Sequence, residues 1–240
     1  MLKIDLAGRA AALGFRPCIL PGIAPGQLKS DSRRDVTVFQ DHPPIDWTYP
    51  QPRAGLAGAL DRFIGPGATR AERLLQILVP SVAAIAAPLY AATMGQSWSW
   101  VHYLLCMVLA FDLVGGVVTN ATSSAKRWYH RNGQGFAQHV GFTAAHLLHL
   151  LLVAWLYLDN DWTWAAIAGG YLLAAAALIL MVPVYLQRPT TLILYLGGLV
   201  VGLWLLPTPP GLDWFLPVFY LKLLVSHLPR EEPYRPATGD

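Results

Sequence analysis

Asp112, His139, His146 and His149 are the residues of this chain whose types and spacing suit chemistry. The acid lies inside a hydrophobic run from Trp98 to Ala121, and the histidines follow on the next apolar segment. An isolated ionisable group costs several kcal/mol in hydrocarbon, so intramembrane acids and histidines usually line a water-filled cavity, a proton path or a metal site. A histidine pair at i and i+3, as in His146 and His149, can ligate one metal from a single helix. Asp112 would supply a third ligand and water an open position, so zinc or iron is the cofactor this donor set predicts. On that reading Asp112, His146 and His149 are the metal ligands, and Asp112, His139 and His146 the catalytic groups. The alternative is structural: a hydrogen-bonded acid locks two helices together and neutral histidines bond across them.

Helical geometry decides whether these groups can meet. Asp112 lies about ten residues, or roughly 15 Å, from the end of its run, and counting about ten residues up from Ala137 reaches His146 at the same depth. The same count matches Asn120 with His139. At 100° per residue His139 and His146 differ by about 20° and His149 lies about 60° further round, so the three imidazoles share one face. Asp112, Gly116, Thr119 and Ser123 form a facing stripe with Asn120 at its edge. The small residues around the acid leave space for a ligand.

The connector Thr122–Gly135 gathers hydroxyls, cations and aromatics beside this face. Asn120, Ser123, Lys126, Arg127, His130 and Arg131 are the predicted substrate-binding residues, because such cations meet anionic lipid headgroups at this level. Anchoring and orientation of the chain would demand a similar cluster. Further along, Lys222 either snorkels to the interface or faces inward and neutralises Asp112, and that ion pair would favour a transport or structural role over a metal site.

The elements that must position these groups are membrane helices. Hydrophobic residues make up 55% of the chain and charged ones 13%, where soluble domains carry about 25%. About 20 apolar residues cover a hydrocarbon core of roughly 30 Å, and six segments qualify, near 74–95, 98–121, 137–158, 163–186, 190–207 and 211–229. Lysine and arginine flank alternate connections (Arg70 and Arg73; Lys126, Arg127 and Arg131; Arg188; Arg230 and Arg235), which places both termini in the cytoplasm. The predicted fold is therefore an all-α polytopic bundle of six transmembrane helices in the cell inner membrane. Residues 1–70 form a proline-rich cytoplasmic or interfacial extension, 71–230 the bundle and 231–240 a cytoplasmic tail. Leu56, Leu60, Phe63 and Ile64 in the extension have the spacing of a short helix on the bilayer surface.

Glycine pairs at Gly115 and Gly116, Gly169 and Gly170, and Gly197 and Gly198 predict three close helix crossings. Cys18 and Cys106 fall in different environments, which argues against a disulfide. The net charge of +3 is weak and dispersed, so nucleic acid is not a predicted partner; a membrane lipid is, and a homo-oligomer or a larger membrane complex is open. An intramembrane aspartyl protease needs two facing acids and only Asp112 qualifies. Phosphate loops, dinucleotide glycine patterns and nucleophile-elbow serines are missing from the sequence. Three functions stay in view: a metal-dependent membrane hydrolase or lipid-modifying enzyme, a proton-coupled carrier, and a haem- or quinone-linked subunit with His139 and His227 as axial ligands.

Overall fold

The computed structural model describes residues 45–233, so His42, Cys18 and the final seven residues lie outside the described part. Five helices are long and apolar enough to cross a membrane, and no sheet forms among the described residues. A short helix α1 (Gly55–Ile64) precedes the first of them, α2 (Arg70–Thr93). Its apolar residues Leu56, Leu60 and Phe63 are exposed, as a surface-lying helix requires. Thr69 caps α2: its hydroxyl accepts the Glu72 amide at 3.1 Å and its own amide donates to the Glu72 carboxylate at 2.8 Å.

Helix α3 (Trp100–Ala121) returns beside α2, with Gly115 against the Pro80 ring. Thr122 then caps a seven-residue helix α4 (Ser123–Tyr129), the centre of the connector. The other oxygen of Glu72 accepts the Ser124 amide at 3.0 Å, so one carboxylate fixes the starts of α2 and α4 together. Ser124 and Tyr129 hydroxyls donate to the Ile64 and Phe63 carbonyls at 3.2 and 3.0 Å and tie down the last turn of α1.

The third spanning segment, Phe136–Tyr157, is interrupted at His146 into α5 (Phe136–Ala145) and α6 (Leu147–Tyr157). Asp159 and Asn160, both with positive φ, turn the chain into α7 (Trp162–Met181). That helix stops five residues before its predicted end at 186, because Pro183 forces Val182 into extended backbone (φ −77°, ψ 152°). Helix α8 (Val184–Val200) starts six residues earlier than predicted and accommodates Pro189, then continues as π-helix over Val201–Leu205.

The last segment differs most from expectation. A span near 211–229 is predicted, and the helix runs only from Phe215 to His227, as α9 (Phe215–Tyr220) continued by a π-helical stretch, Leu221–His227. Thirteen residues reach roughly 20 Å, short of the hydrocarbon core. The preceding residues make a turn instead: Gly211 takes φ +94°, where a Cβ would strike Ala91 at 2.9 Å, and Asp213 accepts the Tyr90 hydroxyl at 3.0 Å. The terminal helix is nonetheless the centre of the bundle. Phe215, Phe219, Tyr220, Leu223 and Leu224 are fully buried, and Tyr220 donates its hydroxyl to the Ala168 carbonyl of α7 at 3.1 Å.

Candidate functional site

Two polar layers meet around this central helix, and the residues come from α3, the α5–α6 segment and the π-helical stretch. In the first, the Asp112 carboxylate accepts the Lys222 ammonium at 2.6 Å and the His149 ring at 2.9 Å, both on Oδ2. Lys222 is only 3% exposed and therefore does not snorkel. Gly116 makes its position possible, since a Cβ there would lie 2.2 Å from the Lys222 Cε. His146 stacks on His149 with ring centroids 5.2 Å apart, and its Nδ1 bonds the Phe142 carbonyl at 2.8 Å. A carbonyl only accepts, so Nδ1 carries the proton and Nε2 of the neutral ring is a lone pair. His146, Asp112, Lys222, Asn120 and Thr119 line a cavity of about 160 Å³ that Phe63 of α1 also borders.

The second layer lies nearer the connector. Asn120 donates its side-chain amide to the Gly116 carbonyl at 2.9 Å, which leaves Oδ1 to accept from His227 Nδ1 at 3.2 Å. With its proton on Nδ1, His227 accepts through Nε2 from His139 Nδ1 at 3.1 Å. His130 Nε2 donates to the His227 carbonyl at 3.0 Å, and its ring stacks on His139 with centroids 4.6 Å apart. Each imidazole is thus held in one tautomer by the next partner.

The sequence-predicted residues divide accordingly. Asp112, His146 and His149 are brought together, but the Asp112 oxygen that bonds His149 also holds the Lys222 ammonium, and His146 bonds the Phe142 carbonyl instead of the acid. Among the described residues no three His, Cys, Asp or Glu side chains converge as metal ligands would, so this donor set does not fit zinc or iron as it stands. His139 and His227 face each other as expected; their direct 3.1 Å bond leaves no slot for a macrocycle. His102, without an assigned role in the sequence, bonds the Leu156 carbonyl at 3.1 Å and Ser99 at the start of α3.

The connector departs from its reading as a surface cation patch. Lys126 is buried and caps the terminal helix, donating to the Ser226 and Pro229 carbonyls at 2.7 and 2.9 Å, with Glu231 at 3.5 Å. Those carbonyls have no helical partner, so a buried ammonium satisfies them. Burial pushes the Lys126 ammonium down to about 8. Arg127 and His130 are also buried, and Ser123 lines neither recess at this site. Only Arg131 keeps an open face, its guanidinium 3.7 Å above the Trp128 ring.

Burial, with the nearby Lys126 charge, pushes the His130 ring down to about 3. The unfolded ring titrates near 6.5, so between these values the unfolded chain binds the extra proton. This stability is complete above 6.5 and is lost as pH falls toward 3. We expect the unfolding midpoint in detergent to drop through that window and His130→Gln to flatten the drop; an unchanged pH profile would show that His130 is not the group responsible.

No family model, curated protein or solved structure matches the chain.

Proposed function

We propose that this chain is an integral membrane enzyme that acts on a lipid or other amphiphilic substrate by acid–base chemistry. One observation carries the reading: His146, whose Nε2 has no partner among the described residues, lines the same cavity as the Asp112–Lys222 pair. His146 is then the general base that takes a proton from water or a substrate hydroxyl, and the Lys222 ammonium stabilises the negative charge that develops. Asp112 holds Lys222 in place and His149 holds Asp112. In this proposal the terminal helix crosses together with its flanking residues, from Gly211 beside Ala91 to Pro229 beside Lys126, to complete a six-span topology, and the basic connector puts both termini in the cytoplasm of a plasma or inner membrane.

The test is incubation of the purified protein in nanodiscs made from a total lipid extract, followed by mass spectrometry of the lipids. We expect wild type to consume at least one species and His146→Gln to slow that turnover by about 100-fold or more. Identical lipid profiles for the two proteins would overturn the reading. A zinc or iron centre on Asp112, His146 and His149 would require Lys222 to leave Asp112; elemental analysis of the same preparation checks it.

The carrier reading is favoured by a different observation, the intramembrane Asp112–Lys222–His149 cluster itself. Substrate-dependent proton flux in proteoliposomes, with no lipid turnover, would select it.

A further inference from the structure

Beside the His146 cavity, and sharing its Tyr129 and Phe142 walls, lies a second recess of about 180 Å³ at the connector end. Its polar lining includes Arg131, Gln134, Gln138, His139 and His227, with Trp128 supplying an apolar side. His139 is 5% exposed and its Nδ1 is committed to His227. The relay from Asn120 through His227 fixes that proton on Nδ1, so Nε2 is a bare acceptor, and no described residue donates to it. Such an oriented acceptor, beside a recess, can take an O–H or N–H from a ligand.

Arg131 supplies the charge. Of its five N–H donors one goes to the Trp128 carbonyl, and the guanidinium carbon lies 3.7 Å from the centre of the Trp128 ring. The other donors point to an anion, and a planar fork suits phosphate oxygens. Gln138 accepts the Gly135 amide at 3.0 Å through Oε1, which leaves its NH2 as a further donor. Lys126 and Arg127, the other connector cations, are buried. The recess therefore offers one cation, one or two amide donors and one imidazole acceptor, edged by the aromatics that it shares with the His146 cavity.

We propose that this recess binds the headgroup of an anionic phospholipid bearing a free hydroxyl, phosphatidylglycerol being the simplest. The phosphate lies on Arg131 and the hydroxyl donates to His139 Nε2. This deepens the enzyme reading by naming a substrate class, and it rests on that reading only for the turnover of the bound lipid.

Native mass spectrometry of the full chain tests it. The protein is released from micelles holding equal amounts of phosphatidylglycerol, phosphatidylmethanol and phosphatidylcholine with the same acyl chains. Phosphatidylmethanol has the charge without the hydroxyl. We expect phosphatidylglycerol to be retained about tenfold over phosphatidylmethanol, the worth of one hydrogen bond, and phosphatidylmethanol over phosphatidylcholine. His139→Phe should erase the first preference alone, and Arg131→Gln, at an open position, should lower both anionic lipids to the phosphatidylcholine level. His146→Gln should slow turnover by about 100-fold or more and leave this pattern intact, which separates failure of binding from failure of the enzyme reading. Equal retention of the three lipids, or preferences that survive both recess variants, would overturn the assignment; so would displacement of phosphatidylglycerol by free glycerol phosphate, which would make the ligand a soluble one.

Discussion

Asp112→Leu is expected to cost about 3–5 kcal/mol, because it leaves the Lys222 ammonium buried without its counter-charge. Lys222 is 3% exposed, and its stem runs along Gly116. A loss of that size consumes much of the stability of an ordinary domain, so the variant should give little monodisperse protein on gel filtration. Replacing both partners, as Asp112→Leu with Lys222→Met, removes the two charges together and should restore folding while turnover stays absent. If the single variant folds as well as the double one, the buried Lys222 ammonium does not depend on Asp112 for its counter-charge.

Gly116→Ala is the second large effect, about 1–3 kcal/mol by overpacking. The added methyl would overlap the Lys222 stem at Cε, Cδ and Cγ, at 2.2, 2.6 and 2.9 Å, while the ammonium is pinned at Asp112. Lys222 cannot retreat without giving up its ion pair. Gly170 provides the contrast: nothing lies within 4 Å of its Cβ position, so Gly170→Ala should raise the thermal midpoint through helix propensity. Midpoints of the two variants in one detergent check this, and shifts of the same sign would refute the packing argument.

The distances explain which parts of the site could be read from sequence. Depth was legible to about one helical turn: a helix rises uniformly, and the count that set Asp112 level with His146 falls three residues short of its partner His149, while Asn120 and His139, matched by the same count, share the partner His227. Partnership was not. His149, rather than His146, bonds the acid, because the helix is interrupted at His146 and the ring there turns to the Phe142 carbonyl. Lys222 and His227 are five apart, a separation that α-helical winding places about 140° round the axis. The π-helical turn, with its i to i+5 bonding, brings them toward one side, and each enters a different layer. No periodicity in the sequence announces that winding. Lys126 was equally opaque, since the carbonyls it caps lie 100 and 103 residues further along the chain.

One wall of the His146 cavity differs in kind from the others. Phe63 belongs to α1, a helix that spans nothing and is fastened by hydroxyls of Ser124 and Tyr129. The spanning helices cannot part without opening the buried core, whereas α1 can swing on two or three hydrogen bonds. A molecule already dissolved in the adjacent leaflet would thus reach His146 sideways, past one aromatic ring, without ever leaving the lipid phase or crossing the bilayer.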